Sequence, residues 1–293
     1  MKTPRDLLHQ YLLRPRKSLG QNFLRHQHIA DEIVQRAGIA SGDTIVEVGV
    51  GLGALTMPLA RAAGRVIGLE IDQGLIDLHK KENDLPANVE LRHEDILRAD
   101  LAALVSEVGT PLHVVSNLPY SISHPFLFLM LDNRQYIRQV TVMLQEEVVA
   151  RLTAKPRTKE YGISTVLFAL CARIESLLTV PPEMFHPEPA VQSQVIQITF
   201  TPEITPPATE FALVRKIVKH TFGKRRKTLN NTLAAPEFWR QFPTTQQENG
   251  KILTRELLKQ AGIGDKTRPE ELAPEEFVRL AQGLQRLAPE ACA

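Results

Sequence analysis

Short runs of β-branched and aliphatic residues alternate with helical patterns along the first half of the chain. The runs predict strands at residues 44–48, 65–71, 89–92, 112–116 and 139–144. Between them, apolar positions at helical spacing predict helices at residues 53–63 and 73–82. Strands that alternate with helices of this length form right-handed crossovers. The pattern therefore predicts an α/β fold with a mainly parallel sheet that is covered on both faces.

The pattern changes towards the C-terminal end. A helix near residues 163–170 and two strands, at 171–180 and 194–200, are predicted to close the sheet, and the pattern leaves their direction open. A Pro-rich stretch at residues 201–207 interrupts regular structure. Beyond it the periodicity is helical only, at residues 211–222, 228–233, 250–261 and 274–287. The sequence therefore predicts two domains, residues 1–204 and a small all-helical domain at residues 205–293.

Composition places the chain among ordinary globular proteins. Of its 293 residues, 43% are hydrophobic and 23% charged, which is enough apolar material for a sizeable core. The two cysteines, Cys171 and Cys292, are too few for a disulfide framework, and the nine histidines lack metal-ligand spacing, so we expect no metal. No run reaches the roughly 18 apolar residues of a membrane span, and the first residues lack a signal core. A cytoplasmic location is expected.

Basic residues are concentrated in two stretches, although the formal net charge is only +2. Between residues 213 and 233 no acidic residue accompanies seven basic ones, which are Arg215, Lys216, Lys219, Lys224, Arg225, Arg226 and Lys227. The first 25 residues hold one acid, Asp6, against Lys2, Arg5, Arg14, Arg16, Lys17 and Arg25. Such tracts indicate either solvated surface or a polyanionic partner such as nucleic acid, and charge alone leaves both readings open.

A Gly-rich turn follows the first strand of the predicted sheet. Gly49 and Gly51 lie between that strand and a helix, where the absence of a side chain lets the backbone approach a ligand. Glu70 ends the next strand about 20 residues on, where a carboxylate can accept hydrogen bonds from ribose hydroxyls. With Ala54 the turn also fits the dinucleotide fingerprint, so these residues indicate a nucleotide-like cofactor in either a methyltransferase or an NAD-dependent oxidoreductase.

Asp95 and Ile96 follow the third strand. The Asp95 carboxylate can accept a hydrogen bond from an adenine amino group while Ile96 packs on the ring. An aspartate in this position more often caps a helix or forms a turn. The ligand interpretation therefore depends on the presence of Gly49 and Glu70.

The stretch Asn117-Leu118-Pro119-Tyr120 comes directly after a strand, at the edge where ligands bind in open α/β sheets. An adenine amino group is a poor nucleophile because its lone pair is delocalised into the ring. The Asn117 side-chain oxygen and the Leu118 or Pro119 carbonyl can accept the two amino hydrogens and restore that pair. Pro119 restricts Leu118 to extended conformations, and Tyr120 offers a face for a flipped base. This chemistry favours methyl transfer over hydride transfer.

With these residues the chain resembles the ribosomal RNA adenine-N6,N6-dimethyltransferases, most closely the small-subunit enzymes whose loss confers kasugamycin resistance. The resemblance covers nearly the whole chain. Besides the motifs above, it extends over residues 17–24, 143–152, 161–162, 185–189 and 222–229. It implies a Rossmann-like S-adenosylmethionine-dependent domain followed by a helical domain that helps to dock on RNA.

The resemblance also implies roles for particular residues. Contacts with S-adenosylmethionine fall to Asn22, the Leu24 backbone, Gly49, Gly51, Glu70, Asp95, Ile96 and Asn117. Contacts with RNA fall to Tyr120, to Phe185 beside the flipped adenine, and to Lys224, Arg225, Arg226 and Lys227. The implied substrate is a pair of adjacent adenosines in the 3′-terminal hairpin of small-subunit rRNA, within a partly assembled subunit, and the enzyme is expected to be a monomer.

The chain departs from the family pattern at two places. Val50 stands where the family usually has proline, and Ala190 and Gln192 stand where lysine and aspartate are commoner. These changes bear on cofactor affinity and RNA contacts rather than on chemistry. Three alternatives stay open: a large-subunit rRNA methyltransferase of the macrolide-resistance type, an assembly factor that acts mainly by binding, and an NAD-dependent oxidoreductase. The stretch at residues 222–229 favours the small-subunit enzyme.

Overall fold

The structure is a computed structural model that describes residues 4–11, 13, 15, 20–242 and 250–288. Several residues singled out from the sequence lie outside the described residues; these are Lys2, Arg14, Arg16, Lys17, Ser18, Leu19 and Cys292. The chain divides into two compact units. The first comprises Met1–Val149 and Ile174–Phe200, and the second comprises Ala150–Arg173 and Thr201–Ala293.

A seven-stranded sheet forms the centre of the first unit. In chain order its strands are β2 (Thr44–Val48), β3 (Arg65–Glu70), β4 (Val89–His93), β5 (Leu112–Asn117), β6 (Ile137–Gln145), β7 (Ala172–Val180) and β9 (Ser193–Phe200). They lie in the order β4-β3-β2-β5-β6-β9-β7. The first five strands in this order are parallel, and β9 is antiparallel to β6. The α/β fold with a mainly parallel sheet is confirmed, and β9 resolves one of the directions that the pattern left open.

Two short strands, β1 (Phe23–Leu24) and β8 (Phe185–His186), pair antiparallel in a separate small sheet. The helices of this unit are α1 (Pro4–Gln10), α2 (Gln27–Arg36), α3 (Thr56–Ala62), α4 (Gln73–Glu82), α5 (Leu101–Val108) and α6 (Ser123–Asp132). The helix expected from residue 53 begins at Thr56 because the Gly-rich turn occupies the preceding residues. Helices α1, α2, α5 and α6 were not predicted.

The second unit is helical. Helix α7 (Glu146–Leu152) leads into it, and its other helices are α8 (Ile163–Ala169), α9 (Ala208–Phe222), α10 (Leu229–Leu233), α11 (Pro236–Trp239), α12 (Gly250–Ala261) and α13 (Pro274–Leu287). Helix α13 packs against both α9 and α12. Trp239 is buried, and its indole N–H donates to the Thr254 hydroxyl at 3.0 Å. No helix in the described part of the chain is long and apolar enough to cross a membrane.

The units differ from the expected division at residue 204. The second unit begins at Thr201 and also includes Ala150–Arg173, which the sequence pattern had assigned to the first domain. Tyr161 shows why, since it is 1% exposed and its hydroxyl donates to the Leu272 carbonyl at 2.7 Å. A contact between residues 111 positions apart leaves no trace in the local hydrophobic pattern.

Val50, which stands where the family usually has proline, is accommodated by a glycine on the neighbouring strand. Val50 is 3% exposed, and a Cβ added at Gly68 would lie only 2.6 Å from its Cγ2. Gly68 lies within β3, where the missing side chain leaves the space that Val50 fills. Valine at position 50 is therefore packed into the core beneath the turn.

We expect Gly68→Ala to lower the free energy of unfolding by about 1–3 kcal/mol, because a β-branched side chain in a filled core cannot easily give way. Without that clash, alanine in a strand interior would normally be stabilising. Urea denaturation of the single variants and of the Val50→Ala/Gly68→Ala double variant measures the effect. The loss should be smaller in the Val50→Ala background; an equal loss in both backgrounds would show that Val50 is not the obstacle.

Candidate cofactor and catalytic site

A pocket opens in the first unit at the carboxyl ends of the parallel strands. The strand order reverses between β2 and β5, which is where ligands bind in open α/β sheets. The empty space is about 1080 Å³, including the part open to solvent. Of the residues singled out from the sequence, the pocket is lined by Asn22, Leu24, Gly49, Val50, Gly51, Ala54, Glu70, Asp95, Ile96, Asn117 and Pro119. Every residue expected to contact the cofactor thus lies at one pocket.

The Gly-rich turn is held by Glu70. Gly49 and Gly51 have positive φ angles of 79° and 60°, which side chains rarely allow. Glu70 accepts from the Gly51 N–H through Oε2 at 2.9 Å and from the Asp72 N–H through Oε1 at 2.8 Å. Burial raises the pKa of Glu70, and the two backbone N–H groups partly offset this. Each carboxylate oxygen still has a lone pair for a ligand hydroxyl.

Asp95 caps a short helix and also lies at the pocket, so its position is compatible with both of the roles that the sequence left as alternatives. Its Oδ1 accepts from the Leu97 N–H at 3.0 Å and so caps a short 3-10 helix, Ile96–Arg98. The same residue lines the pocket, and so does Ile96, which is 4% exposed. The cap fixes the carboxylate at the pocket wall.

Asn117 ends β5 with its amide group oriented by the N-terminal segment. Its Nδ2 donates to the Asn22 carbonyl at 3.1 Å. The Asn22 amide in turn donates to the Gly20 carbonyl at 3.1 Å. Because the Asn117 nitrogen is engaged, its Oδ1 is the atom left to accept a hydrogen bond from a ligand.

The three residues that follow Asn117 differ in their position relative to the pocket. Leu118 is 1% exposed and, unlike Pro119, does not line the pocket. Tyr120 is half-buried outside the pocket lining, and its hydroxyl lies 2.6 Å from Ser193 Oγ. Burial raises the pKa of Tyr120. The Tyr120 ring is therefore held by its hydroxyl end.

Phe185 does not occupy the place expected for a residue that stacks on a base. It is 1% exposed and belongs to a core cluster that includes Leu24, Ile29 and Met143. Its backbone pairs with Leu24 in the small sheet. A ring enclosed by aliphatic side chains offers no free face to a base, so this expectation does not hold in the described structure.

Glu47 is a pocket residue to which the sequence analysis gave no role. It is fully buried at the end of β2, and neither of its carboxyl oxygens has a hydrogen-bond partner within the described residues. Burial raises its pKa to about 8; the nearby Thr56 hydroxyl lowers it in part, and the Glu70 charge adds to the rise. The sequence did contain a signal for this residue, which was an acidic side chain among the apolar residues of a strand.

The basic stretch belongs to the second unit, and its side chains fall into two groups. The Arg225 guanidinium donates to the Thr158 and Lys159 carbonyls, both at 2.7 Å, and lies 3.6 Å from Glu270. Lys224 forms an ion pair with Glu237. Arg226 and Lys227 are exposed, and their side chains make no ion pair or hydrogen bond within the described part of the chain. Half of the expected RNA-contacting cluster is thus engaged within the fold.

The chemistry of the pocket suits an adenosyl sulfonium cofactor better than NAD. Its described lining includes the carboxyl groups of Glu47, Glu70, Glu94 and Asp95, and no Lys or Arg. A dinucleotide would bring a diphosphate into that negative environment. A cationic ligand would instead favour the ionised form of Glu47, whose pKa burial raises to about 8, while Ile71, Ile96 and Leu97 offer apolar surface to an adenine ring.

Comparison with known proteins agrees with this geometry. The family model for ribosomal RNA adenine dimethylase matches residues 13–284. The chain belongs to the ribosomal RNA adenine dimethylase family. It is 43% identical over 273 residues to the ribosomal RNA small subunit methyltransferase A of Desulfotalea psychrophila, covering 93% of this chain and 92% of that protein.

Two solved structures share the fold of this dimethylase family member. A dimethyladenosine transferase from Plasmodium falciparum matches with a TM-score of 0.76 at 22% identity, over 90% of this chain and 98% of that one. The 23S rRNA methyltransferase ErmE matches with a TM-score of 0.64 at 24% identity, over 90% and 99%. At these identities the likeness concerns the fold, and it confirms the Rossmann-like methyltransferase architecture.

We expect Glu47→Gln to stabilise the dimethylase increasingly as the pH rises from 5 to 8. The folded pKa of Glu47, about 8, exceeds its ordinary value of 4.5, so the unfolded chain releases a proton that the folded chain retains. The contribution of Glu47 is therefore complete below pH 4.5 and lost as pH rises towards 8. Urea unfolding at intervals of one pH unit should show a difference between variant and wild type that grows by at least about 1 kcal/mol. A stability difference between variant and wild type that stays constant with pH would contradict the prediction.

Proposed function

We propose that this chain transfers methyl groups from S-adenosylmethionine to the N6 amino groups of two adjacent adenosines in the 3′-terminal hairpin of small-subunit rRNA. The observation that carries the proposal is the Asn117 amide, fixed at the pocket by the Asn22 carbonyl so that Oδ1 is left to accept. The relative named for the small subunit, similar over nearly its whole length, favours this substrate over the large-subunit alternative.

The residues of the first unit divide the work of cofactor binding. Glu70 would accept from the ribose hydroxyls, and Asp95 with Ile96 would receive the adenine ring. Asn22, Leu24, Gly49 and Gly51 form the adjoining wall. The Glu47 carboxyl suits the cationic part of the ligand. Bound S-adenosylmethionine supplies an electrophilic methyl group.

Asn117 prepares the nucleophile. Its Oδ1 and the carbonyl of Leu118 or Pro119 accept the two amino hydrogens of the target adenine, which draws the nitrogen towards tetrahedral geometry and directs its lone pair at the methyl group. Pro119 has φ and ψ of −58° and 128°, an extended conformation that proline rigidifies. The acceptors are thus positioned before substrate arrives, and no strong base is required.

The wider setting follows from this substrate. We propose rRNA within a partly assembled small subunit as the partner, a role in small-subunit biogenesis, a monomeric state and a cytoplasmic location. Methyl transfer from labelled cofactor to unmethylated small subunits, large subunits and free rRNA in parallel, followed by nucleoside analysis, tests the proposal. Dimethyladenosine in small subunits is expected; label found only in large subunits, or in no RNA, would refute it.

Asn117→Ala should reduce single-turnover methylation roughly a hundredfold to a thousandfold, because one of the two acceptors that orient the amine is removed. Asn117→Asp should retain partial activity, since a carboxylate keeps an acceptor but adds a charge that favours the ground state with a cationic cofactor. Rates are measured with saturating cofactor and unmethylated subunits. RNA binding and the unfolding midpoint serve as controls. A near-wild-type rate for Asn117→Ala would mean that other groups orient the amine.

Arg226→Glu/Lys227→Glu should weaken RNA binding and lower the slope of its salt dependence by about two, one for each lost phosphate contact. Arg225→Glu should instead destabilise the fold, because the Thr158 and Lys159 carbonyls lose their donor. RNA titrations at several salt concentrations and urea unfolding separate the two effects. RNA affinity unchanged at matched salt in the double variant would mark both residues as ordinary solvated surface.

A further inference from the structure

Gly51 is held by side chains on both of its peptide groups. Its N–H donates to Glu70, as described above, and its carbonyl oxygen lies 3.0 Å from Nε2 of His79. Between these two hydrogen bonds Gly51 adopts a φ of 60°, which is in the left-handed region that glycine enters readily. Because glycine can adopt many backbone conformations, hydrogen bonds on both peptide groups select the one that is presented to a ligand.

The His79 ring is in turn held by Asp84. Nδ1 of His79 lies 2.8 Å from Oδ1 of Asp84. Helix α4 ends at Glu82 and is capped by Asn83, whose left-handed conformation (φ 48°, ψ 44°) turns the chain back towards the helix, so that Asp84 reaches a side chain five residues earlier. The His79 side chain is 1% exposed, whereas that of Asp84 is 38% exposed. The pair therefore extends from solvent to the underside of the Gly-rich turn.

The two ring nitrogens serve different partners. Both partners are acceptors, a carboxylate and a carbonyl, so a ring with an N–H on each nitrogen satisfies both, and either neutral tautomer satisfies one. The ring also packs beneath the turn, since its Cε1 lies 3.5 Å from where a Cβ on Gly53 would be. His79 does not line the pocket itself. Any effect on a ligand must therefore pass through Gly51.

We propose that His79 is a positioning residue for the cofactor, which fixes the Gly51 carbonyl through Nε2 and is itself oriented by Asp84. This rests on the proposed function in one respect, that S-adenosylmethionine binds against the Gly-rich turn. The Gly51 carbonyl is set by His79 while the Gly51 N–H is set by Glu70, the residue assigned to the ribose. Loss of His79 loosens one side of this arrangement and lowers the fraction of molecules whose turn is ready to bind.

Two polar substitutions of His79 distinguish a positioning role from a purely structural one. The amide nitrogen of glutamine can occupy the place of Nε2, and that of asparagine the place of Nδ1. His79→Gln therefore keeps a donor for the Gly51 carbonyl and loses the Asp84 contact. His79→Asn does the reverse, and His79→Leu removes both donors.

Affinity for S-adenosylhomocysteine, measured by calorimetry, is the primary readout. We expect His79→Asn and His79→Leu to weaken it by about 3- to 10-fold, the range of one net hydrogen bond. His79→Gln should stay within about twofold of wild type. In methyl-transfer assays His79→Asn and His79→Leu should raise KM for the cofactor. They should leave kcat at saturating cofactor nearly unchanged, because His79 does not touch the reacting atoms.

His220→Leu is the matched control, since Nε2 of His220 lies at the same 3.0 Å from a backbone carbonyl, that of Thr232, in the second unit. It should lower stability without changing cofactor affinity. Equal affinities for the Asn and Gln variants, or wild-type affinity for His79→Leu, would overturn the proposal. Failure of the wild-type chain to bind the cofactor would instead refute the proposed function. Urea unfolding of each variant ensures that affinities are compared between folded proteins.

Discussion

The arrangement of the pocket depends on the way one buried carboxylate is satisfied. Burial of a charge costs several kcal/mol unless donors replace its water. At Glu70 the donors are the N–H groups of Gly51 and Asp72, which belong to the turn after β2 and the turn after β3. Asp72 then caps α4 by accepting from the Gly74 N–H and also accepts from the Gln21 side chain at 3.2 Å. The Glu70 and Asp72 carboxylates together thereby join the Gly-rich turn, the start of α4 and the N-terminal segment.

The N-terminal segment links this network to the proposed catalytic residue. Its Asn22 carbonyl orients the Asn117 amide, and the next two residues pair with Phe185 and His186. Phe185 thus supports Asn117 indirectly, because its buried ring and paired backbone fix β1, which directly follows Asn22. The family resemblance placed Phe185 beside the substrate. In the structure its burial is explained by packing, and it is connected to Asn117 only through the N-terminal segment.

The sequence predicted what depends on neighbours along the chain. The strands of the seven-stranded sheet, the Gly-rich turn and the position of Asn117 at the end of β5 follow from short-range periodicity and turn chemistry. Helix α6 was missed because it buries Phe126, Leu127, Met130 and Leu131, so its apolar residues do not form the single stripe by which a surface helix is recognised.

What depends on distant contacts could not be predicted in the same way. The inclusion of Ala150–Arg173 in the second unit, the burial of Phe185 and the engagement of Arg225 by Thr158 and Lys159 all arise from residues far apart in sequence. The resemblance treated Lys224, Arg225, Arg226 and Lys227 as equivalent RNA contacts, whereas the fold leaves two of these four for a partner. The sequence therefore identified the basic residues, but it could not show which of their side chains are engaged within the fold.

Glu47 and Glu70 show how two similar residues acquire different roles at neighbouring strand ends. Both carboxyl groups are buried, yet Glu70 has two backbone donors and Glu47 has none in the described part of the chain. An apolar residue at position 47 would avoid that desolvation cost, so stability alone does not account for the carboxyl group. A cationic ligand in the pocket would offset the cost, and its binding would then stabilise the fold by an amount that rises with the logarithm of ligand concentration. The unpartnered carboxyl thus links folding stability to occupancy of the site.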